Sequence, residues 1–319
     1  MTNHPVRTLA SWRLRTRTLE VGWRTLVMGV VNITPDSFSD GGRYFDPNNP
    51  VAAINHGLSL LDEGADILDL GAESTRPGSR VAGMIGSEFT PAVSAEEEQA
   101  RLLPVLKGIL ATRPRAIVSV DTYKAATARA ALDAGAEIVN DVSGLMWDPE
   151  ITAVCAEAGC GVVLMHTRGR PEEWHTLRHL ASDELLFTVR AGLAASLAAA
   201  AQAGIAPEAV VLDPGYGFGK RFEENYALLA RQAELLSLGR PLLAGLSRKS
   251  FLGRTLAPLY AGAQPRPEWG PAAPVEARET ASLAALVAAI LHGASIVRVH
   301  AVRPAVEAAL IADAIMAAG

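Results

Sequence analysis

Two periodic signals alternate along the chain. Short runs of Val, Ile and Leu are apolar at nearly every position, and longer Ala- and Leu-rich stretches between them repeat apolar residues three and four apart. The first signal marks a strand covered on both faces, and the second an amphipathic helix. Strands are predicted near 27–32, 66–71, 116–121, 136–141, 161–166, 209–213, 241–246 and 295–300. Helices are predicted near 50–64, 95–112, 123–134, 149–158, 182–203, 222–238, 278–292 and 303–317. Eight β/α pairs are the number that closes a (β/α)8 TIM barrel, here a single domain over residues 26–319. A doubly wound open sheet carries the same alternation and is the alternative.

Ahead of the first barrel strand, Trp12, Leu14 and Thr16 alternate with Arg13, Arg15 and Arg17. That period of two reads as a half-solvated strand, and residues 1–25 as an N-terminal extension, a β-hairpin closing the barrel bottom. The proline-rich segment Thr255–Pro274 falls inside a β/α unit and reads as a long surface loop rather than a linker.

Composition narrows the partners. The formal charge is -5, with acids and bases interspersed, so there is no electrostatic footprint for nucleic acid or an anionic membrane, and anionic ligands must be met locally. Apolar stretches are broken by charge or Gly before the roughly 20 residues that span a bilayer. Cys155 and Cys160 are too few for a disulfide framework or a structural zinc site and read as buried small residues. The expected location is cytoplasmic.

In a barrel the active site lies at the C-terminal mouth, so the strand ends matter most. Here they are polar: Asn32, Asp69 with Glu73-Ser74-Thr75-Arg76, Asp121, Asn140-Asp141, His166, Asp213, Ser247-Arg248-Lys249, and Arg298-Val299-His300. Any one of them could cap a helix or satisfy a buried carbonyl. Convergence of all eight on one rim points instead to a ligand with a hydrogen-bond-donating, cation-like edge and an anionic tail. Competing motifs fail. Pro214–Lys220 lacks the Walker spacing, and neither a nucleophile elbow nor a zinc-protease motif occurs.

Eight stretches resemble the dihydropteroate synthase family: NITPDSFSDGG from Asn32, GAESTRPGS from Gly71, SVDT from Ser119, NDVSG from Asn140, MHTRGRP from Met165, DPGYGFGK from Asp213, SRKSFLG from Ser247 and RVHAV from Arg298. The resemblance implies condensation of 6-hydroxymethyl-7,8-dihydropterin pyrophosphate with p-aminobenzoate by an SN1-like route, in a homodimer that sulfonamides target. It implies that Asp213, Asn140 and Asp121 receive the pterin edge, that Lys249 reaches the ring's carbonyl side, and that Asp121, Asp213 and Lys249 are catalytic. It assigns Arg298 and His300 to the leaving group, Ser247, Thr75 and Arg76 to the arylamine region, and Asn32 to Mg²⁺. Residues Thr34–Gly42 look like a mobile lid closing on the loop Ser74–Gly78.

Ala301 stands where the family usually has Asp, Tyr216 where Phe is common, and the loops Ser79–Pro91 and Thr255–Pro274 are long. Two rivals share the barrel. A pterin-dependent methyltransferase would have no need of Thr75–Gly78, Ser247–Lys249 or the Arg298/His300 pair. A silent paralogue would bind pterin without turnover.

Overall fold

The computed structural model describes residues 7, 9–34, 49–73, 93–260 and 272–318. Eight parallel strands form a closed barrel: β3 (Leu26–Asn32), β4 (Ile67–Gly71), β5 (Val118–Asp121), β6 (Ile138–Asp141), β7 (Gly161–Met165), β8 (Val210–Asp213), β9 (Leu242–Ala244) and β10 (Ala294–Val299). β10 pairs with β3 and closes the ring. Closure decides between the two architectures the alternating pattern allowed, in favour of the TIM barrel.

The apolar runs resolve into two faces. Val27, Val31, Leu68, Leu70, Val120, Val139, Val162, Leu164, Val210 and Leu212 point outward into the core beneath the helices. Met28, Ile67, Ile138, Val163, Val211, Leu243 and Ile296 point inward and fill the barrel floor. Because successive residues face opposite sides, moving two positions along the strands from that floor reaches Asp69, Asn140, Asp213 and Arg298, together with Val30, Met165 and Gly245. An apolar floor carrying a polar layer is therefore written directly into the strands.

Below the floor sits an antiparallel hairpin of β1 (Ala10–Arg13) and β2 (Thr18–Val21). Trp12, Leu14 and Val21 pack into the floor cluster, and Trp12 Nε1 donates to the Ala209 carbonyl at 2.8 Å. A β-carbon at Gly161 would lie 2.7 Å from Leu14 and 3.3 Å from Trp12 Nε1, so β7 must start on a glycine for the plug to seat.

The helices are α1 (Val51–Asp62), α2 (Ala95–Thr112), α3 (Ala125–Asp133), α4 (Ile151–Ala158), α5 (Ser182–Gln202), α6 (Phe222–Ala230), α7 (Ser250–Leu256), α8 (Glu279–Leu291) and α9 (Val302–Ala318). Three features differ from the periodicity reading. The predicted helix near 222–238 is α6 followed by a separate 3-10 helix, Gln232–Leu238. The predicted strand 241–246 contracts to three residues, β9. A short extra helix, α7, follows it.

α5 is long and apolar enough to cross a bilayer by length and composition alone. In the fold it lies against β7 and α6, with Leu185, Leu186, Val189 and Leu193 buried and Arg190 exposed.

Candidate active site

The polar layer at the mouth is built around one guanidinium. Arg298, on β10, donates from Nε to Asp69 Oδ2 at 2.6 Å and from Nη2 to Asp121 Oδ2 at 2.7 Å. Asn140 Nδ2 donates to the same Asp69 oxygen at 3.0 Å. The residues involved are separated by up to 229 positions in sequence, and the barrel's register brings them together.

Asp213 ends β8 with 6 % of its surface exposed, and its Oδ1 accepts the Gly215 N–H at 2.7 Å. That N–H comes from a tight turn. Gly215 has φ +72°, and a β-carbon there would sit 1.9 Å from the His166 carbonyl oxygen, so only glycine fits. Across the mouth, a β-carbon at Gly245 would stand 3.8 Å from Asp213 Oδ2 and 3.9 Å from Arg298 Cβ. Glycine at 245 thus leaves room between the Asp213 carboxylate and the base of the Arg298 side chain.

Desolvation dominates the electrostatics. Burial pushes the Asp121 carboxyl up to about 7; Arg298 opposes the shift and Asp69 adds to it. Burial also raises Asp213, against the Gly215 N–H and the cations Lys249, Lys220 and Arg298. For Arg298 burial disfavours the charge, but Asp69 and Asp121 outweigh it and the pKa rises. The acids at the mouth are thus held in a setting where each added positive charge is strongly favoured.

Just past Arg298, at the end of β10, His300 Nδ1 lies 3.0 Å from Ser247 Oγ, which also accepts the His300 backbone N–H at 3.3 Å. Lys249 Nζ sits 4.0 Å from the centre of the Phe218 ring. Beside it opens a cleft of about 310 Å³ lined by Trp174, Gly217, Lys220, Phe222, Ser250 and Arg254, among others. Asn32 ends β3, half-buried, in register with Gly71. Asp121, Asn140, Asp213, Lys249, Ser247, Arg298, His300 and Asn32 therefore all lie at one end of the barrel. Thr75, Arg76 and most of the expected lid lie outside the described residues, as do the whole of the loop Ser79–Pro91 and the middle of Thr255–Pro274.

Some strand-end polar groups belong to the scaffold. Asp141 is fully buried and accepts the N–H groups of Ser143 and Leu145, each at 2.7 Å, shaping the turn after β6. Lys220 Nζ donates to the carbonyls of His166, Gly215 and Phe218 at 2.8–3.2 Å, tying the turns after β7 and β8 together. Its burial depresses its pKa well below the lysine range. The Tyr216 hydroxyl donates to Gln232 Oε1 at 2.7 Å, so the Tyr that replaces Phe points its extra oxygen into the scaffold. Pro304 is the third residue of α9, still within the first turn, where no intrahelical N–H bond is lost.

Ala301 leaves no carboxylate after His300, but α8 supplies one nearby: Arg248 Nε donates to Glu279 Oε2 at 3.2 Å. Arg248 has φ +58°, unusual for a residue with a side chain. Ser282 Oγ accepts its N–H at 2.8 Å and Arg278 donates to its carbonyl at 3.1 Å, so Glu279 and Ser282 of α8 and the preceding Arg278 hold that turn.

Asp69 was not nominated as a site residue from sequence, nor Lys220 as the scaffold residue that ties the turns after β7 and β8 together. The signal the sequence does offer for Asp69 is a lone carboxylate inside an otherwise apolar strand. For Lys220 it is a lysine closing a glycine-rich turn.

A closed barrel with a charged, desolvated pocket at its C-terminal mouth defines an enzyme of the TIM-barrel class. Residues 28–300 match the family described as pterin binding enzyme. The dihydropteroate synthase of Mycobacterium leprae (strain TN) is 44% identical over 297 residues, covering 92% of this chain and 94% of its own. The Yersinia pestis dihydropteroate synthase, solved as a sulfonamide drug complex, superposes with a TM-score of 0.82 at 36% identity, covering 97% of this chain and 100% of its own. The Xanthomonas albilineans dihydropteroate synthase with 4-aminobenzoic acid gives 0.79 at 38% identity, covering 97% and 99%. The chain belongs to the dihydropteroate synthase family of pterin-binding enzymes.

Proposed function

We propose that the protein joins 6-hydroxymethyl-7,8-dihydropterin pyrophosphate to p-aminobenzoate, giving 7,8-dihydropteroate and pyrophosphate. The observation that carries this reading is the layer of Asp69, Asp121, Asn140 and Asp213 around Arg298, with His300 just after it and Lys249 after the neighbouring strand β9. A reduced pterin presents N–H donors along one edge, and carboxylates with an amide oxygen are the matched acceptors. Rupture of the C–O bond to pyrophosphate sends the electron pair to the departing oxygen and leaves a methylene cation conjugated with the ring. Asp121 and Asp213, already paired and fixed, face that charge as it develops, so they stabilise the transition state more than the neutral ground state. The neutral arylamine then forms the C–N bond and releases its proton to water.

His300 is assigned to the leaving group, and Ser247, Thr75 and Arg76 to the arylamine region. The p-aminobenzoate ring is assigned to the space beside Lys249 and Phe218, where the cleft of about 310 Å³ opens. The implied Mg²⁺ fits a sparse donor set. Asn32 offers one amide oxygen, and no cluster of three or more His, Cys, Asp or Glu side chains occurs among the described residues. That suits an ion which keeps its waters and is held chiefly by substrate phosphates. Asn32 would hold it, and when bound it neutralises charge on the departing pyrophosphate.

The homodimer is proposed on the outer face of α9, where Leu310, Ile311 and Ile315 are 60%, 64% and 46% exposed. Its check is the molecular mass in solution of the protein and of Ile311→Asp. The cytoplasmic assignment accords with Cys155 and Cys160, both free and buried.

The test of function is pyrophosphate release and pteroate formation with Mg²⁺. Product that requires both organic substrates supports the reading. Pterin binding without turnover identifies a silent paralogue and refutes it.

A further inference from the structure

We propose that Asp69 is a positioning residue whose carboxylate fixes the orientations of Asn140 and Arg298 toward the pterin substrate, an inference that rests on the reaction proposed above. Asp69 lies in the middle of β4, fully buried, where a parallel strand ordinarily carries an apolar residue. A carboxylate buried there is costly unless it is paired. Both of its partners are mouth residues: Asn140 Nδ2 at 3.0 Å and Arg298 Nε at 2.6 Å, converging on the same oxygen.

The consequence for Asn140 is directional. An amide has a donor end and an acceptor end of nearly identical shape. With Nδ2 bound to Asp69, the acceptor end Oδ1 is the one left for a ring N–H. Arg298 is held by Nε on Asp69 and Nη2 on Asp121, so the plane of its fork also sets the Asp121 carboxylate. One buried acid thereby aligns three groups of the pterin pocket. Its other oxygen, Oδ1, has no hydrogen-bond partner among the described residues. A carboxylate retained only to hold the fold would be expected to satisfy both oxygens.

The test compares Asp69→Asn, Asn140→Ala and the double variant with wild type, using calorimetric titration with 6-hydroxymethylpterin and steady-state kinetics. At position 69 an asparagine can keep its oxygen on both donors, but it removes the negative charge that holds the Arg298 guanidinium and buries an unpartnered NH₂ in place of Oδ1, so pterin affinity is expected to fall about 10- to 100-fold. The KM for p-aminobenzoate is expected to change less than about threefold, and the double variant to lose no more than about threefold beyond the weaker single variant. Unchanged pterin affinity in Asp69→Asn, or losses that multiply in the double variant, overturns the inference.

Should the variants fail to fold, wild-type NMR decides. Saturation with the pterin is expected to shift the Asn140 side-chain carbonyl carbon and leave its NH₂ resonances in place, whereas the reverse pattern overturns the inference. Wild-type turnover is measured first, so failure of the proposed reaction appears there and failure of the Asp69 role only in these comparisons.

Discussion

Replacing Asp213 by asparagine separates what the mouth does for substrate from what it costs the fold. The introduced amide can keep its oxygen on the Gly215 N–H, which Asp213 accepts at 2.7 Å. Its other end then becomes an NH₂ aimed at the open space beside Gly245. A pterin donor edge placed there loses a charge-assisted bond worth about 1.5–3 kcal/mol and meets an unpaired donor costing about 1–3 kcal/mol. The sum is about 2.5–6 kcal/mol, roughly two to four orders of magnitude in pterin affinity.

Stability should move the other way. Burial raises the Asp213 pKa, so the folded state favours the protonated acid. Its contribution is fully present below the ordinary carboxylate value of about 4 and is lost as pH rises through the raised folded value. Asparagine carries no such penalty, so Asp213→Asn is expected to match wild type near pH 4 and exceed it near pH 8 in urea unfolding. A variant that keeps pterin affinity within a few-fold, or that is less stable at pH 8, refutes the reasoning.

Three further outcomes follow from other parts of the structure. With Asp121 raised to about 7 by burial, and Arg298 and Asp69 pulling in opposite senses, kcat/KM should climb as pH passes that value, and Asp121→Asn should abolish this limb along with most activity. Trp12→Ala removes a side chain only 1% exposed from the barrel floor and should cost about 3–5 kcal/mol in denaturant unfolding while leaving kcat of the folded fraction unchanged. Glu279→Ala removes the side-chain acceptor of Arg248 Nε and should raise the p-aminobenzoate KM several-fold, with Ala301→Asp in that background restoring it; no restoration argues against carboxylate support of Arg248.

Much of the barrel was legible because its strands are bounded by charge. An apolar run that ends in Asp121, Asn140 or Asp213 announces both where the strand stops and which end carries chemistry. The inward and outward faces were not legible, since floor residues such as Ile67 and Val163 are as apolar as Leu68 and Val162 beneath the helices. That ambiguity is why Asp69, only two residues from the apolar Ile67, was passed over as a site residue.

Pairing was not legible either. Arg298 reads from sequence as a cation for the leaving group, whereas the structure places its guanidinium between Asp69 and Asp121, a contact that needs the closed ring of β10, β3, β4 and β5. Asp141 and Lys220 carry the same residue types as the site, and only their partners show that they shape turns. The support that Glu279 gives Arg248 crosses from α8 to the turn after β9, between elements whose contact no local pattern encodes.

The most direct measurement is a crystal structure of the protein with a pterin in the mouth. The account predicts the ring's amino group and adjacent N–H on Asp213, Asn140 Oδ1 accepting from the same edge while Nδ2 stays on Asp69, and the methylene carbon turned toward the His300 rim. A ring bound outside the Asp69–Arg298–Asp121 layer, or reversed so that its donor edge faces Lys249, would contradict it.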